Sequence, residues 1–191
     1  MSIPPLARRL LVSALLTAAT VPLRAAPEPT PTPVAAQPAV LMPAPPQLAA
    51  KSWVLMEAST GKVVVESNAD LRLPPASLTK IMSSYIIAEE LANGKLSDQA
   101  QVPISVNAWQ TGGSRMFVKE GTEVPLMDLL RGVIVQSGND ATVALAEYAA
   151  GSERAFADVM NQQAALIGMR NTHFVNATGW PAEGHLTTAR D

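Results

Sequence analysis

The sequence predicts an α/β chain in which a β-hairpin comes first, helices follow, and the sheet is left incomplete. Three observations lead there. Two strand-like runs, Trp53-Val54-Leu55-Met56 and Val63-Val64-Val65-Glu66, flank the turn signal Ser59-Thr60-Gly61-Lys62. Several later segments carry apolar residues at helical spacing between recognisable start and stop residues. No later segment reads as a third strand, although two strands alone seldom make a stable sheet. The expectation is an N-terminal hairpin with a helical subdomain, the later sheet strands missing.

In chain order, residues 1–26 read as a signal peptide. Arg8 and Arg9 form a short basic region, Leu10 to Val21 is apolar, and Leu23-Arg24-Ala25-Ala26 offers small residues for cleavage. The apolar run falls short of the roughly 20 residues of a membrane span, and an uncleaved N-terminal anchor is the other reading. Either way the remainder is expected to be exported. Residues 27–47 read as a proline-rich linker. Eight of the sixteen prolines lie in 27–46, a composition that stays extended and buries no core. The folded part is expected over 48–191. After the hairpin, Pro74-Pro75 halts regular structure. Ser77 to Leu91 then reads as a helix with Ile81, Tyr85, Ala88 and Leu91 on one face, ended by Asn93-Gly94. Residues 95–124 read as loop-rich. Pro125 opens a helix to about Val135, with Leu126, Leu129, Leu130 and Val133 inward. Ser137-Gly138-Asn139-Asp140 breaks it, Ala141 to Ala149 forms the next helix before Gly151, and Ser152 caps a last one running to about Ile167 and closed by Gly168. Residues 170–191 read as irregular.

Composition removes several function classes. The 191 residues suffice for one domain with a core, and the net charge of −2 argues against a nucleic-acid partner. The absence of cysteine excludes disulfides, thiolate zinc sites, a cysteine nucleophile and a lipidated cysteine anchor. The only histidines, His173 and His185, argue against a histidine-rich metal site and read as polar loop residues. Trp53, Trp109 and Trp180 read as packing residues, and the methionines as core filling.

Two motifs carry chemistry. In Ser77-Leu78-Thr79-Lys80 a serine and a lysine three apart at a helix start bring the amine within reach of the hydroxyl. The helix N-terminus adds a partial positive field that favours an oxyanion beside Ser77 and disfavours a charged Lys80. An ordinary lysine has a pKa of about 10.4, so neutrality at pH 7 costs about 5 kcal/mol unless burial lowers that figure. Ser-x-x-Lys is expected about once by chance in a chain of this size. Ser59-Thr60-Gly61-Lys62 is such a match, set aside because it falls in the hairpin turn. The second motif is Ser137-Gly138-Asn139, where a loop between helices aims a hydroxyl and an amide at one point. It reads equally as a capping turn. Its decoy, Ser105-Val106-Asn107, lies in expected loop sequence.

Pro75-Ala76-Ser77-Leu78-Thr79-Lys80-Ile81-Met82, followed by Gln136-Ser137-Gly138-Asn139-Asp140-Ala141, resembles the low-molecular-mass penicillin-binding proteins of peptidase family S11, the D-alanyl-D-alanine carboxypeptidases. Gly113-Ser114-Arg115-Met116-Phe117, Asn171-Thr172-His173-Phe174 and Thr187-Thr188-Ala189-Arg190-Asp191 resemble the family's connecting sequences, so the likeness covers roughly 48–191. The resemblance implies a β-lactamase/transpeptidase-like fold and no metal or cofactor. It implies Ser77 as nucleophile, Lys80 as its base, Ser137 as a proton bridge and Asn139 as the grip on the substrate amide, with the Ser77 N–H as half of an oxyanion hole. The implied substrates are peptidoglycan stem peptides ending in D-Ala-D-Ala, the implied covalent inhibitors are β-lactams, and the implied location is the bacterial periplasm or cell envelope. The family's Lys-Thr-Gly motif is missing, as are its further sheet strands and C-terminal anchor, so the chain reads as a C-terminally truncated product or fragment. Membrane association would then require an uncleaved N-terminus or that missing anchor. Losing an oxyanion donor typically costs a factor of about 100 to 1,000. The alternatives are a D,D-endopeptidase, an inactive wall-binding remnant, or a β-lactamase. The last is disfavoured by Gly138, where class A enzymes carry Ser-Asp-Asn.

Overall fold

The computed structural model describes residues 44–45 and 47–191. The expected signal peptide and nearly all of the linker lie outside the described residues.

The hairpin forms as expected. Strand β1 (Trp53–Met56) pairs antiparallel with β2 (Val63–Ser67), Trp53 opposite Ser67 and Leu55 opposite Val65, with a register shift between Leu55 and Met56. Gly61 turns the corner at φ +70°, and its N–H donates to Glu57 O at 2.9 Å. The set-aside Ser59-Lys62 match lies in this exposed turn. No third strand joins β1 and β2 among the described residues.

A single 3-10 turn, Ala76–Leu78, leads into α1 (Thr79–Ala92). The regular helix thus begins two residues later than expected, and Ser77 sits in the preceding turn. The expected face is also corrected. Ile81 is 69% exposed, Tyr85 is 40% exposed and Ala88 is exposed, whereas Lys80, Met82, Ser83, Ile86 and Ile87 are buried. Residues far along the chain decide this. Ser83 Oγ donates to Ala177 O at 2.7 Å, so a polar residue has a partner inside. Ile81 and Tyr85 instead line an open apolar groove with Leu78, Ile167 and Met169.

The stretch expected as loop-rich contains three short elements. Strand β3 (Gln101–Pro103) pairs antiparallel with β4 (Glu123–Pro125), and α2 (Val106–Gln110) lies between them. The decoy serine, Ser105, is the cap of α2 and accepts from Ala108 N at 2.9 Å. Strands of three residues are too short to show alternation.

The remaining helices follow the periodicity closely. They are α3 (Leu126–Gln136), α4 (Asn139–Ala150) and α5 (Glu153–Leu166). Leu126, Leu129, Leu130 and Val133 of α3 are all buried as expected. Helix α4 is buried along residues 139–146 and is lined with small residues that let α1, α2, α3 and α5 approach it. Ser152 caps α5 by accepting from Ala155 N at 3.1 Å. Residues 170–191 are irregular as expected, tied down by isolated bridges between Leu73 and Thr187 and between His173 and Leu186.

His185 departs from the loop reading. It is 2% exposed, its Nδ1 accepts from Val175 N at 3.1 Å, and its Nε2 lies 2.9 Å from Thr79 Oγ1. The accepting Nδ1 fixes the neutral tautomer with Nε2–H donating. Burial, reinforced by His173, holds its pKa below the ordinary histidine value. Two of the three tryptophans are less packed than expected, Trp109 at 42% and Trp180 at 53% exposed, while Trp53 is half-buried.

Leu129→Ala should lower stability by about 2–5 kcal/mol through cavity formation, read as a lower urea midpoint at unchanged slope. Leu166→Ala, at an 80% exposed position, should change it by less than about 0.5 kcal/mol.

Candidate active site

Four elements converge around Ser77: the 3-10 turn, α1, the α3–α4 junction and the irregular segment 170–191. Ala76, directly before Ser77, holds left-handed backbone at φ +49°. Such a conformation is uncommon away from glycine and persists where surroundings enforce it. Gly179 supplies that enclosure. A Cβ at 179 would overlap the carbonyl of Ala76 and crowd Thr79 Oγ1 at 2.8 Å, and Gly179 itself sits at φ +84°. Glycine is required there on both counts.

Lys80 is 5% exposed. Its Nζ lies 3.1 Å from Ser77 Oγ and donates to Thr178 O at 2.8 Å. Among the described residues no carboxylate forms an ion pair with it. Burial without a compensating charge pushes its pKa from 10.5 down to about 8. Neutralising the amine at pH 7 then costs about 1.4 kcal/mol, against about 5 for an ordinary lysine. The sequence suggested the helix-terminal field as one source of this effect; desolvation is the cause found.

Ser137 ends α3 in left-handed backbone at φ +53°, and the Ser137 and Gly138 N–H groups both return to Gly132 O. The turn therefore does cap a helix, and it also sets Ser137 beside the other candidates. Ser77, Lys80 and Ser137 share one cleft of about 320 Å³ with Ile81, Ser84, Val133 and Ile134. Asn139 does not line that cleft. It opens α4, donates from its backbone N–H to Ser114 O at 2.7 Å, and donates from Nδ2 to Gly112 O at 2.8 Å. A Cβ at Gly113 would strike both Asn139 Nδ2 and the Trp180 ring, so this loop lies flat against the amide.

Two groups escaped sequence reasoning. Asp140 is 1% exposed and accepts from Met116 N at 3.0 Å, Val118 N at 3.1 Å and Ala141 N at 2.9 Å, which pins the 112–118 loop over the start of α4. Its position beside Asn139 was a signal of sorts. The Thr178 carbonyl, 98 residues from Lys80, left none, since any residue offers a carbonyl. Among the described residues no three His, Asp or Glu side chains gather as a metal cluster requires. None of the described helices is long and apolar enough to cross a membrane.

A serine hydroxyl held against a desolvated lysine amine, with a second serine in the same cleft, is an arrangement suited to nucleophilic acyl transfer. The sequence model of the peptidase S11 family, D-alanyl-D-alanine carboxypeptidase, matches residues 39–191. The chain is 45% identical over 157 residues to D-alanyl-D-alanine carboxypeptidase DacA of Escherichia coli K12, covering 79% of this chain and 39% of that protein. Among solved structures, D-alanyl-D-alanine carboxypeptidase DacD from Francisella tularensis aligns with a TM-score of 0.77 and 51% identity over 82% of this chain and 38% of its own. Penicillin binding protein 5 from Haemophilus influenzae aligns with a TM-score of 0.75 and 40% identity over 78% of this chain and 44% of its own. The chain thus spans about two fifths of the length of the curated relatives it matches, and the hairpin with its helical subdomain is part of the penicillin-binding, transpeptidase-like fold. The match over residues 39–191 and the identity to DacA together place this chain in the peptidase S11 family of D-alanyl-D-alanine carboxypeptidases.

Proposed function

We propose that this chain belongs to an exported, penicillin-sensitive serine D-alanyl-D-alanine carboxypeptidase of the bacterial cell envelope. In this reading residues 1–26 are its signal peptide and 27–47 a linker. Residues 48–191 supply the Ser-x-x-Lys and Ser-x-Asn part of its catalytic domain. The substrate class is a peptidoglycan stem peptide ending in D-Ala-D-Ala, and β-lactams are covalent inhibitors of the same serine. The observation that carries the reading is the contact between the buried Lys80 amine and Ser77 Oγ.

Chemically, neutral Lys80 takes the Ser77 proton as Oγ attacks the carbonyl of the penultimate D-alanine. The Ser77 backbone N–H faces the developing oxyanion. Ser137, lining the cleft with Ser77 and Lys80, relays a proton to the leaving amine of the terminal D-alanine. The acyl–Ser77 ester is then hydrolysed by water, which frees Oγ and the shortened peptide. Asn139 spends one N–H on Gly112 O and lies outside the cleft lined by Ser77, Lys80 and Ser137; its second N–H and its carbonyl oxygen are the groups with which it would hold a substrate amide at the edge of that cleft. Thr178 O accepts one Lys80 N–H, so the lone pair of the neutral amine can face Ser77.

Release of D-alanine from a pentapeptide ending in D-Ala-D-Ala is the direct test. Ser77→Ala should lower it by at least about 10³-fold; an undiminished rate would remove Ser77 from the mechanism. The active form of Lys80 is the neutral amine, whose fraction grows as pH rises towards its pKa of about 8. kcat/KM should therefore rise about tenfold per pH unit below that value and level off above it. A profile still climbing at pH 10 would indicate an ordinary, solvated lysine.

A further inference from the structure

Lys80 owes one of its two polar contacts to a turn that begins two residues before Thr178. Asn176 Oδ1 accepts from Thr178 N at 3.2 Å, Thr178 Oγ1 at 3.2 Å and Gly179 N at 2.8 Å, while its Nδ2 donates to Trp180 O at 2.8 Å. One side-chain amide thus holds both sides of the turn over residues 176–180. With its N–H groups tied inward, the turn points Thr178 O at Lys80 Nζ, 2.8 Å away.

We propose that Asn176 is a positioning residue for Lys80, its amide building the turn whose Thr178 carbonyl orients the amine towards Ser77. The proposal rests on the reading of Lys80 as the base. A neutral amine has two N–H groups and one lone pair. Fixing one N–H on Thr178 O removes most of the rotational choice left to the lone pair. The same turn seats Gly179 against the Ala76 carbonyl, where no side chain fits. It therefore helps to bury Lys80 as well as orienting it.

Within the turn Thr178 Oγ1 also accepts from Trp180 N at 3.2 Å, while the other supports of this segment grip neighbouring residues. Glu153 of α5 accepts from Ala177 N at 3.0 Å, and Ser83 of α1 donates to Ala177 O at 2.7 Å. Both grip the residue before Thr178. His185 faces the start of α1 through Thr79, and Asp140 of α4 is committed to the 112–118 loop. On α3, Asp128 is paired with Arg131 at the surface. The Thr178–Gly179 peptide has Asn176 as its side-chain holder.

The test follows the Lys80 side-chain titration by NMR in the full chain, with the resonance assigned through Lys80→Arg. The unmodified protein should titrate near 8. Asn176→Ala, with thermal melting confirming a folded protein, should raise that midpoint by about one unit or more as water reaches the amine. D-alanine release at pH 7 should fall about tenfold and recover by about pH 10. Asn176→Ser keeps an oxygen able to accept from the two backbone N–H groups and should leave the midpoint within about 0.3 unit. If Asn176→Ala does not fold, Asn176→Gln, which displaces the amide by one methylene, should show the same upward shift. A folded Asn176→Ala or Asn176→Gln with an unchanged midpoint overturns the proposal. A raised midpoint in a chain that releases no D-alanine would support the positioning role and overturn instead the reading that this chain, about two fifths of its relatives' length, carries out the carboxypeptidase reaction.

Discussion

A lysine amine buried, among the described residues, without a carboxylate partner is the constraint around which this part of the fold is arranged. Buried ammonium groups are ordinarily paired, because desolvating an unpaired charge is costly. Among the described residues Lys80 has a hydroxyl and a carbonyl as its polar partners, Ser77 Oγ and Thr178 O. Both tolerate a neutral amine. The environment therefore lowers the cost of the uncharged form rather than stabilising the charged one. A carboxylate in place of either partner would stabilise the ammonium and make the amine a poor base.

Much of the surrounding structure serves that arrangement. Helix α4 forms the interior against which α1 and α3 pack, so Lys80 on α1 and Ser137 at the end of α3 reach the same cleft. Left-handed backbone at Ala76 and Ser137 places both serines on tight turns rather than on regular helix. Strain of this kind costs on the order of 1–3 kcal/mol per residue and needs an over-determined setting. Gly179 supplies it on one side. On the other, Asp140 gathers Met116, Val118 and Ala141 N–H onto one buried carboxylate and steadies the loop that holds Asn139.

Some of this was legible in the sequence. The α3, α4 and α5 segments carry their own evidence, because Leu126, Leu129 and Val133 repeat at helical spacing and Ser152 and Gly151 mark boundaries. Ser77 and Lys80 were legible through spacing and the Pro74-Pro75 break. The inner face of α1 was not. Hydropathy placed Ile81 and Tyr85 inside, but Lys80 and Ser83 have partners 98 and 94 residues away that reward burying them. The same distance hid the role of Thr178. His185 read as a loop residue because nothing local reveals that Val175 N and Thr79 Oγ1 satisfy both ring nitrogens. Local pattern therefore recovered elements and the Ser77–Lys80 contact, while the shell that tunes the amine emerged only from tertiary contacts.

The claim that Ser77 is the residue acylated, with Lys80 as its activator, can be tested most directly by mapping a penicillin adduct. The full chain would be treated with benzylpenicillin at pH 8 and digested, and the modified peptide sequenced by mass spectrometry. The expected result is a single penicilloyl ester on Ser77, absent in Lys80→Met although Ser77 is present. An adduct on Ser137 or Ser59 instead, or labelling of Ser77 that persists without Lys80, would contradict the assignment.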